Sequence, residues 1–496
     1  MTNAPLATKN RLAVLAGHTP GLSGLFFTEL WERFSYYGMR ALLTLFMVAP
    51  IASGGLAFST ADAGRIYGNY TMAVYMLAIP GGFIADRILG ARRSVLIGGW
   101  TIAAGHYALA MPTIETFYLG LLLVALGTGL FKPNISALVG ALYAPGDPER
   151  DAGFSIFYMG INIGAFIAPL VTGFLAQSQW FKDWLAINGF DPSKSWHWGF
   201  AAAGIGMTIA MLIFARNKHY TPGAHPVPDL TRDTLRHGAV VIGGTLALLG
   251  LALASDADGY AGLRWLFLIL PIAGIGYAIR QPGDDAQRLA AIGVLFIAAM
   301  IFWAIFEQAG TTIALFADQL TRNEVLGLPF PSSWFQSINP IFVILLAPLF
   351  AALWVALGAR QPSPAVKFAI GLLFLSASFL LMVPAASLAA TGKVSPLWLI
   401  GLFLLQTIGE LLLSPVGLST MTKLAPQRMT GLVLGIWFLA AAFGNKLAGV
   451  LGGGFSSNSP ESLSSSFLMQ AALVAIAAGL LFCAAPWVKR LSRHAG

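Results

Sequence analysis

Glu29-Leu30-Trp31-Glu32-Arg33-Phe34-Ser35-Tyr36-Tyr37-Gly38-Met39-Arg40 lies inside an apolar run that extends from about residue 21 to 50. At 3.6 residues per turn, Glu29 stacks under Arg33, Glu32 under Tyr36, Arg33 under Tyr37 and Tyr36 under Arg40. Carboxylate, guanidinium and phenol therefore share one stripe of a helix. The run is long enough to cross a hydrocarbon core, which needs about 20 helical residues. A charged stripe on such a helix faces an aqueous cavity or other helices, not lipid. This stretch reads as a cavity-lining membrane helix in a bundle.

The rest of the chain agrees. Its 496 residues are 57% apolar and only 10% charged, against about 25% charged in soluble domains. Only helices or closed barrels satisfy their backbone in lipid, and the alternating strands of a barrel are not evident. Fourteen continuous apolar runs lie near 21–50, 60–88, 92–111, 115–142, 152–177, 196–215, 237–254, 262–279, 288–318, 332–358, 365–386, 396–422, 428–453 and 465–488. The expected fold is all-α and polytopic, with 14 transmembrane helices.

The formal charge of +8 does not indicate nucleic-acid binding, because the cations are sorted by loop. Of 29 Lys and Arg residues, four lie well inside runs and six (Arg65, Lys182, Lys194, Arg264, Arg322, Lys393) in or beside the odd-numbered loops. The remaining nineteen sit in or beside the even-numbered loops and the termini. This bias places both termini in the cytoplasm. Cys483 is the single cysteine, so no intrachain disulfide or cysteine zinc site forms. Residues 1–20 lack a cleavable signal pattern.

The runs divide as six, two and six. The expected organisation is a cytoplasmic tail at 1–20, a six-helix bundle at 21–216, a loop and inserted helix pair at 217–287, a second bundle at 288–488 and a tail at 489–496. That is the plan of a two-half transporter of the major facilitator kind, with its site between the halves at mid-membrane. Gly (55) and Pro (27) are spread through the runs, as membrane helices allow.

With loops, termini and run ends set aside, eight ionisable residues remain inside runs: Glu29, Glu32, Arg33, Arg40, Lys132, Glu307, Glu410 and Lys446. Each costs about 2.5–3.5 kcal/mol at the bilayer centre on the insertion scale, so they must pair or line a cavity. Arg33, Arg40 and Lys132 come from the first half, and Glu307 and Glu410 from the second. A zwitterion lying between the halves would meet a positive wall and a negative wall. Tyr75, Asn162, Trp303, Asn339 and Trp437 are candidate lining residues: rings for apolar groups and cations, amides for a peptide backbone. A carboxylate beside an arginine exchanges its proton as the cation changes partner, which is a means of proton coupling.

With these residues in place, the chain resembles the proton-dependent oligopeptide transporter family of the major facilitator superfamily. The first-helix stretch above resembles that family's motif there. Gly81-Gly82-Phe83-Ile84-Ala85-Asp86-Arg87-Ile88-Leu89-Gly90 is similar to its second signature. Phe154-Ser155-Ile156-Phe157-Tyr158-Met159-Gly160-Ile161-Asn162-Ile163-Gly164-Ala165-Phe166 resembles the fifth-helix signature. Phe302-Trp303-Ala304-Ile305-Phe306-Glu307-Gln308 and Gly409-Glu410-Leu411-Leu412-Leu413-Ser414-Pro415-Val416-Gly417 look like two further family segments. The resemblance runs from about residue 21 to 450.

The resemblance implies a twelve-helix core with two extra helices, and import of di- and tripeptides driven by protons, with no other cofactor. It implies that Glu29, Glu32 and Arg33 form the coupling motif with Lys132 as its partner. Arg40 and Glu307 would be a gating or proton-linked pair, with Arg40 also near the peptide carboxylate. Glu410 would face the peptide ammonium, and Tyr36, Tyr37, Tyr75, Asn162, Asn339, Trp303 and Trp437 would line the pocket. Ala441 stands where some relatives carry a small hydroxyl residue, and Lys446 receives no role. His106 reads as structural. The expected location is the plasma membrane, as in a bacterial inner membrane, with the protein working as a monomer.

The same fold carrying nitrate or a peptide-like solute is the alternative, although nitrate gives Glu410 no task. An enzyme is disfavoured, since no catalytic cluster, metal-binding spacing or phosphate-binding Gly-x-x-x-x-Gly-Lys occurs. A channel would need a filter or charged rings, and neither is evident.

Overall fold

The computed structural model describes residues 20–144, 147, 149–217, 231–256, 269, 280, 284–424, 430–456 and 458–493. Every expected apolar run falls on a helix except that near 262–279, of which only Ile269 is described. The expected tails and most of the loop after Asn217 also lie outside the described residues. Among the described residues, nine stretches are long and apolar enough to cross a membrane. The first helix is not one of them, because Glu29, Glu32, Arg33 and Arg40 crowd its middle.

The first group comprises α1 (Pro20–Val48), α2 (Thr60–Met76), α3 (Ala78–Ile84), α4 (Ala91–Leu109), α5 (Ile114–Gly140), α6 (Glu149–Gln177), the short α7 (Gln179–Ile187) and α8 (Ser195–Arg216). α3 prolongs α2 through Leu77 and ends in a π turn, Ala85–Leu89. Side-chain caps fix the starts: Ser59 Oγ accepts from the Asp62 N–H at 3.0 Å, and Thr113 Oγ1 accepts from that of Thr116 at 3.2 Å. α1 packs on α6 and α8, and α4 on α5 and α8.

An inserted helix follows, α9 (Arg232–Ala254), which lies along α2 and α3. The second group holds α10 (Asp284–Phe306), α11 (Thr312–Gln319), α12 (Ile338–Leu357), α13 (Pro364–Ala389), α14 (Leu397–Leu424), α15 (Thr430–Gly452) and α16 (Pro460–Arg493). α13 packs on α14 and α16, and α10 on α15.

Three features depart from a plain reading of the runs. The run 288–318 is broken: α10 stops at Phe306, a 3-10 turn covers Glu307–Gly310, and α11 restarts beyond Thr311. Tyr67 packs against this turn, where a Cβ on Gly310 would sit 2.0 Å from the Tyr67 hydroxyl. α7 is a second departure. It is too short to span, and its Phe181 and Trp184 rings stack at 5.6 Å. Third, a small antiparallel hairpin pairs Glu324–Val325 with Leu328–Pro329. Its two-residue turn puts Leu326 and Gly327 at φ +52° and +80°, the left-handed pair that a tight hairpin turn requires.

The two groups meet chiefly where α2 faces α15, α6 faces α12 and α1 faces α11. On the α2–α15 seam, a Cβ on Gly64 would lie 2.4 Å from the Gly449 carbonyl oxygen, and one on Gly449 would lie 2.5 Å from Gly68 Cα. Only glycine permits that approach. Hydrogen bonds between the groups gather toward the end of the bundle where α1 finishes, the Val48 end. Thr44 donates to the Gly310 carbonyl at 2.6 Å, Trp334 Nε1 to that of Leu170 at 3.1 Å, and Ser337 to that of Phe166 at 2.7 Å. Gln177 Nε2 donates to Ser332 Oγ at 2.9 Å. An open cleft of about 650 Å³ lies at the same end, lined by Val48, Lys182, Trp196, Asn323 and Phe330 among others.

Candidate functional site

The charged stripe of α1 is buried. Glu29, Glu32 and Arg33 are at most 4% exposed. Arg33 donates to both Glu32 oxygens, from Nε at 2.5 Å and from Nη2 at 2.7 Å. This fork-to-fork geometry is the strongest form of the arginine–carboxylate pair. Glu29 Oε1 lies 3.3 Å from the same Nε. Its Oε2 has no hydrogen bond among the described residues. Above the pair, the Arg33 guanidinium is 5.1 Å from the Tyr36 ring centroid and 5.8 Å from that of Tyr37. One guanidinium thus serves two carboxylates and two rings.

Two turns on, Arg40 reaches out of α1. Its Nε donates to the Tyr67 hydroxyl of α2 at 2.6 Å, and its Nη2 donates to Glu307 Oε2 in the 3-10 turn. Both charges are buried, at 8% and 3% exposure. A buried pair of this kind links the two groups while it lasts, and loss of either partner leaves a costly lone charge. The break after Phe306 positions Glu307. Gln308, fully buried, secures the turn by donating to Gln470 of α16 at 2.7 Å and accepting from Thr312 at 2.9 Å.

Glu410 belongs to α14. Asn339 Nδ2 donates to its Oε2 at 3.0 Å and to Thr407 Oγ1 at 3.0 Å. Lys132 of α5 makes no ion pair with Glu29 or Glu32; its ammonium lies 4.2 Å from the Tyr75 ring centroid. Asn162 Nδ2 donates to the Tyr158 carbonyl within α6. Trp303 packs edge-on to Phe302 and Phe306, and its Nε1 has no hydrogen-bond partner among the described residues. Trp437 packs edge-on to Phe368 at 6.3 Å, and Gly417 leaves room for its ring. The direct contacts therefore form three clusters: Glu29–Glu32–Arg33 with Tyr36 and Tyr37, Arg40–Tyr67–Glu307, and Glu410–Asn339–Thr407. Lys132–Tyr75 stands beside them.

A family model described as PTR2, POT family, matches residues 92–461. The chain belongs to the POT family. It is 40% identical over 506 residues to the peptide transporter YePEPT of Yersinia enterocolitica, spanning 96% of each chain. It is 38% identical over 447 residues to a di-/tripeptide transporter of Lactococcus lactis subsp. cremoris, spanning 86% of this chain and 87% of that one. It also superposes, with a TM-score of 0.84 and 39% identity, on the crystal structure of a Glu-to-Gln mutant of peptide transporter POT in complex with alafosfalin, covering 96% of both. This is a multi-pass membrane transporter with the major facilitator fold of the POT family, and not an enzyme.

Several POT-site neighbours went unpredicted. Tyr67 shares Arg40 with Glu307, yet nothing in the α2 sequence sets it apart from other aromatic residues. Thr44 lies one turn beyond Arg40 on the same face and was legible from that spacing. Lys446 stood out as a charge without a task. It is paired with Asp256 and Asn69, each at 2.5 Å. His106 is fully buried, and neither ring nitrogen makes a hydrogen bond among the described residues.

Proposed function

We propose that this chain is a proton-driven importer of di- and tripeptides. It works by alternating access between two bundles, 21–216 and 288–488, about a site near mid-membrane. The segment 217–287 carries the inserted pair. The loop charges orient the chain with both termini in the cytoplasm and the Val48 end outside, in a bacterial inner membrane. One chain contains all the groups required, so a monomer suffices.

The observation that carries this reading is the buried Arg40–Glu307 pair joining the two bundles, with a second carboxylate, Glu410, held by Asn339. A proton on Glu307 removes the charge that holds Arg40. The bundles are then free to part at the Val48 end, and Arg40 is free for another anion. A peptide supplies that anion in its terminal carboxylate, assisted by Lys132. Its ammonium takes the Glu410 side. Once the peptide leaves inward, Glu307 returns its proton to the cytoplasm and recaptures Arg40. Glu29, Glu32 and Arg33 form the second proton-responsive cluster, in which protonation of either carboxylate shifts Arg33 to the other. Tyr36, Tyr37, Tyr75, Asn162, Trp303, Asn339 and Trp437 shape the pocket. The names of the relatives, a peptide transporter and a di-/tripeptide transporter, support this cargo.

The test is uptake of labelled dialanine by purified protein in liposomes, with and without an inward proton gradient. Accumulation only with the gradient, competed by tripeptides and not by free alanine, is expected. Absence of uptake by correctly inserted protein would move the assignment to another cargo.

A further inference from the structure

Lys446 lies on α15, among the most buried side chains in the molecule at 2% exposure. An ammonium in that position requires an anion. Among the described residues, the carboxylate that meets it comes from neither bundle. Lys446 Nζ donates to Asp256 Oδ2 at 2.5 Å, and Asp256 follows directly on the inserted helix α9. The Asp256 side chain is itself 5% exposed. The third member is Asn69 of α2. Its Oδ1 accepts from Lys446 at 2.5 Å, and its Nδ2 donates to the same Asp256 oxygen at 2.7 Å. The three side chains close a ring of hydrogen bonds drawn from three parts of the chain.

The packing shows which members move together. α9 lies along α2 and α3, where a Cβ on Gly238 would sit 2.8 Å from the Phe83 ring. Asp256 and Asn69 therefore form a socket on the first bundle. Lys446 belongs to the second bundle and inserts into it. The socket is beside the glycine seam, where a Cβ on Gly68 would be 3.1 Å from the Lys446 carbonyl oxygen. Separation of α2 from α15 must withdraw Lys446 from Asn69 and Asp256 and take its positive charge away from a buried carboxylate.

We propose that Asp256, delivered by the inserted helix, latches Lys446 to the first bundle and so holds the transporter closed at the Val48 end. This rests on the alternating-access reading above. The latch is separate from Arg40–Glu307: it shares no residue with that pair and does not touch the proposed peptide site. It gives the inserted segment a task, which is to set the balance between the closed and open forms at that end. Charge pairing is the active element, so neutralising either partner weakens the latch and exchanging the two charges restores it.

Ser333 provides the readout. It is 2% exposed, lies where a Cβ on Gly173 of α6 would nearly touch its hydroxyl, and its Oγ makes no hydrogen bond among the described residues. A Ser333→Cys probe in a Cys483→Ser background costs no hydrogen bond and is uncovered when the bundles part. The experiment measures the rate at which a bulky polar maleimide labels this cysteine in the purified full chain, without substrate. Asp256→Asn and Lys446→Gln are each expected to raise the rate about fivefold, as a shift in the open population. Asp256→Lys combined with Lys446→Asp should return it to within about twofold of the parent. Unchanged rates in both single variants overturn the proposal, and so does a raised rate that the exchange leaves raised. Should the charge variants fail to elute as folded protein, Asn69→Ala carries the test, with a rise of about twofold expected and no rise overturning it. Labelling needs no cargo, so failure of the parent to carry dialanine would sink the peptide assignment and leave this result standing.

Discussion

Arg40 and Glu307 are 267 positions apart in the chain and form a direct buried ion pair, with Tyr67 as a second acceptor for Arg40. The pair is the one buried link between the bundles, among the described residues, that joins a carboxylate and a guanidinium. Glu307→Gln removes the negative charge and the titrating proton together. Gradient-driven accumulation of dialanine is expected to fall more than about tenfold, while counterflow exchange, which moves no net proton, stays within about twofold. Normal accumulation by this variant would remove Glu307 from the coupling role.

Glu410 is the other acid of the second bundle, steadied by Asn339 at 3.0 Å. A charge-assisted hydrogen bond contributes about 1.5–3 kcal/mol. Replacing Glu410 by Gln should therefore weaken peptides with a free amino terminus by about tenfold or more, and acetylated peptides much less. Competition of labelled dialanine uptake by the two peptide forms measures this. Equal losses for both would argue against an ammonium subsite.

Lys132 has its ammonium 4.2 Å from the Tyr75 ring, a contact of about 2 kcal/mol when desolvated. It is thus held near the α1 carboxylates without being bound to them. Lys132→Ala is expected to cut driven uptake by about tenfold. Full activity in the liposome assay would return Lys132 to a packing role.

The α2–α15 seam allows a test by volume alone. A Cβ at Gly449 would meet the Gly64 carbonyl oxygen at 2.4 Å and Gly68 Cα at 2.5 Å, all backbone that cannot turn aside. Gly449→Ala should destabilise the form closed at the Val48 end by about 1–3 kcal/mol. The measurements are thermal unfolding in detergent and dialanine uptake, with Gly479→Ala as control, since nothing lies within 4 Å of a Cβ at Gly479. Parental uptake and melting in Gly449→Ala would show that the seam tolerates wider spacing.

Much of this molecule was legible where one helix holds all the information. Spacing alone placed Glu29 beside Arg33, and they lie 3.3 Å apart. The same rule passed over Glu32 and Arg33, which are adjacent in sequence, yet theirs is the tighter pair. Their long side chains bend toward each other although their Cβ atoms diverge. Where a second segment completes the arrangement, the sequence was silent. Lys446 was conspicuous, but Asp256 is 190 positions away in a polar stretch that carries no periodic signal. The run 288–318 read as continuous because its polar stretch, Glu307 to Thr312, is short and flanked by apolar sequence on both sides. The Tyr67 side chain lies opposite Gly310 in that interruption, a contact between distant segments that the sequence does not show. α7 and the hairpin at Glu324–Pro329 are too short for any window that detects spans.

The interruption between Phe306 and Thr312 also bears on mechanics. An intact helix is a stiff rod, because each turn is tied to the next by its backbone ladder. Here the α-helical ladder gives way to a 3-10 turn over Glu307–Gly310, so α10 and α11 meet at a joint that can serve as a pivot. The pivot carries both the acid that meets Arg40 and the carbonyl that meets Thr44. In the alternating-access reading proposed above, torque on the stub beyond Thr311 would be taken up at this joint before it reached α10. On that reading, opening of the Val48 end would begin as a local swing of α11, with the long arm at rest against α15 until the charge at the pivot is discharged.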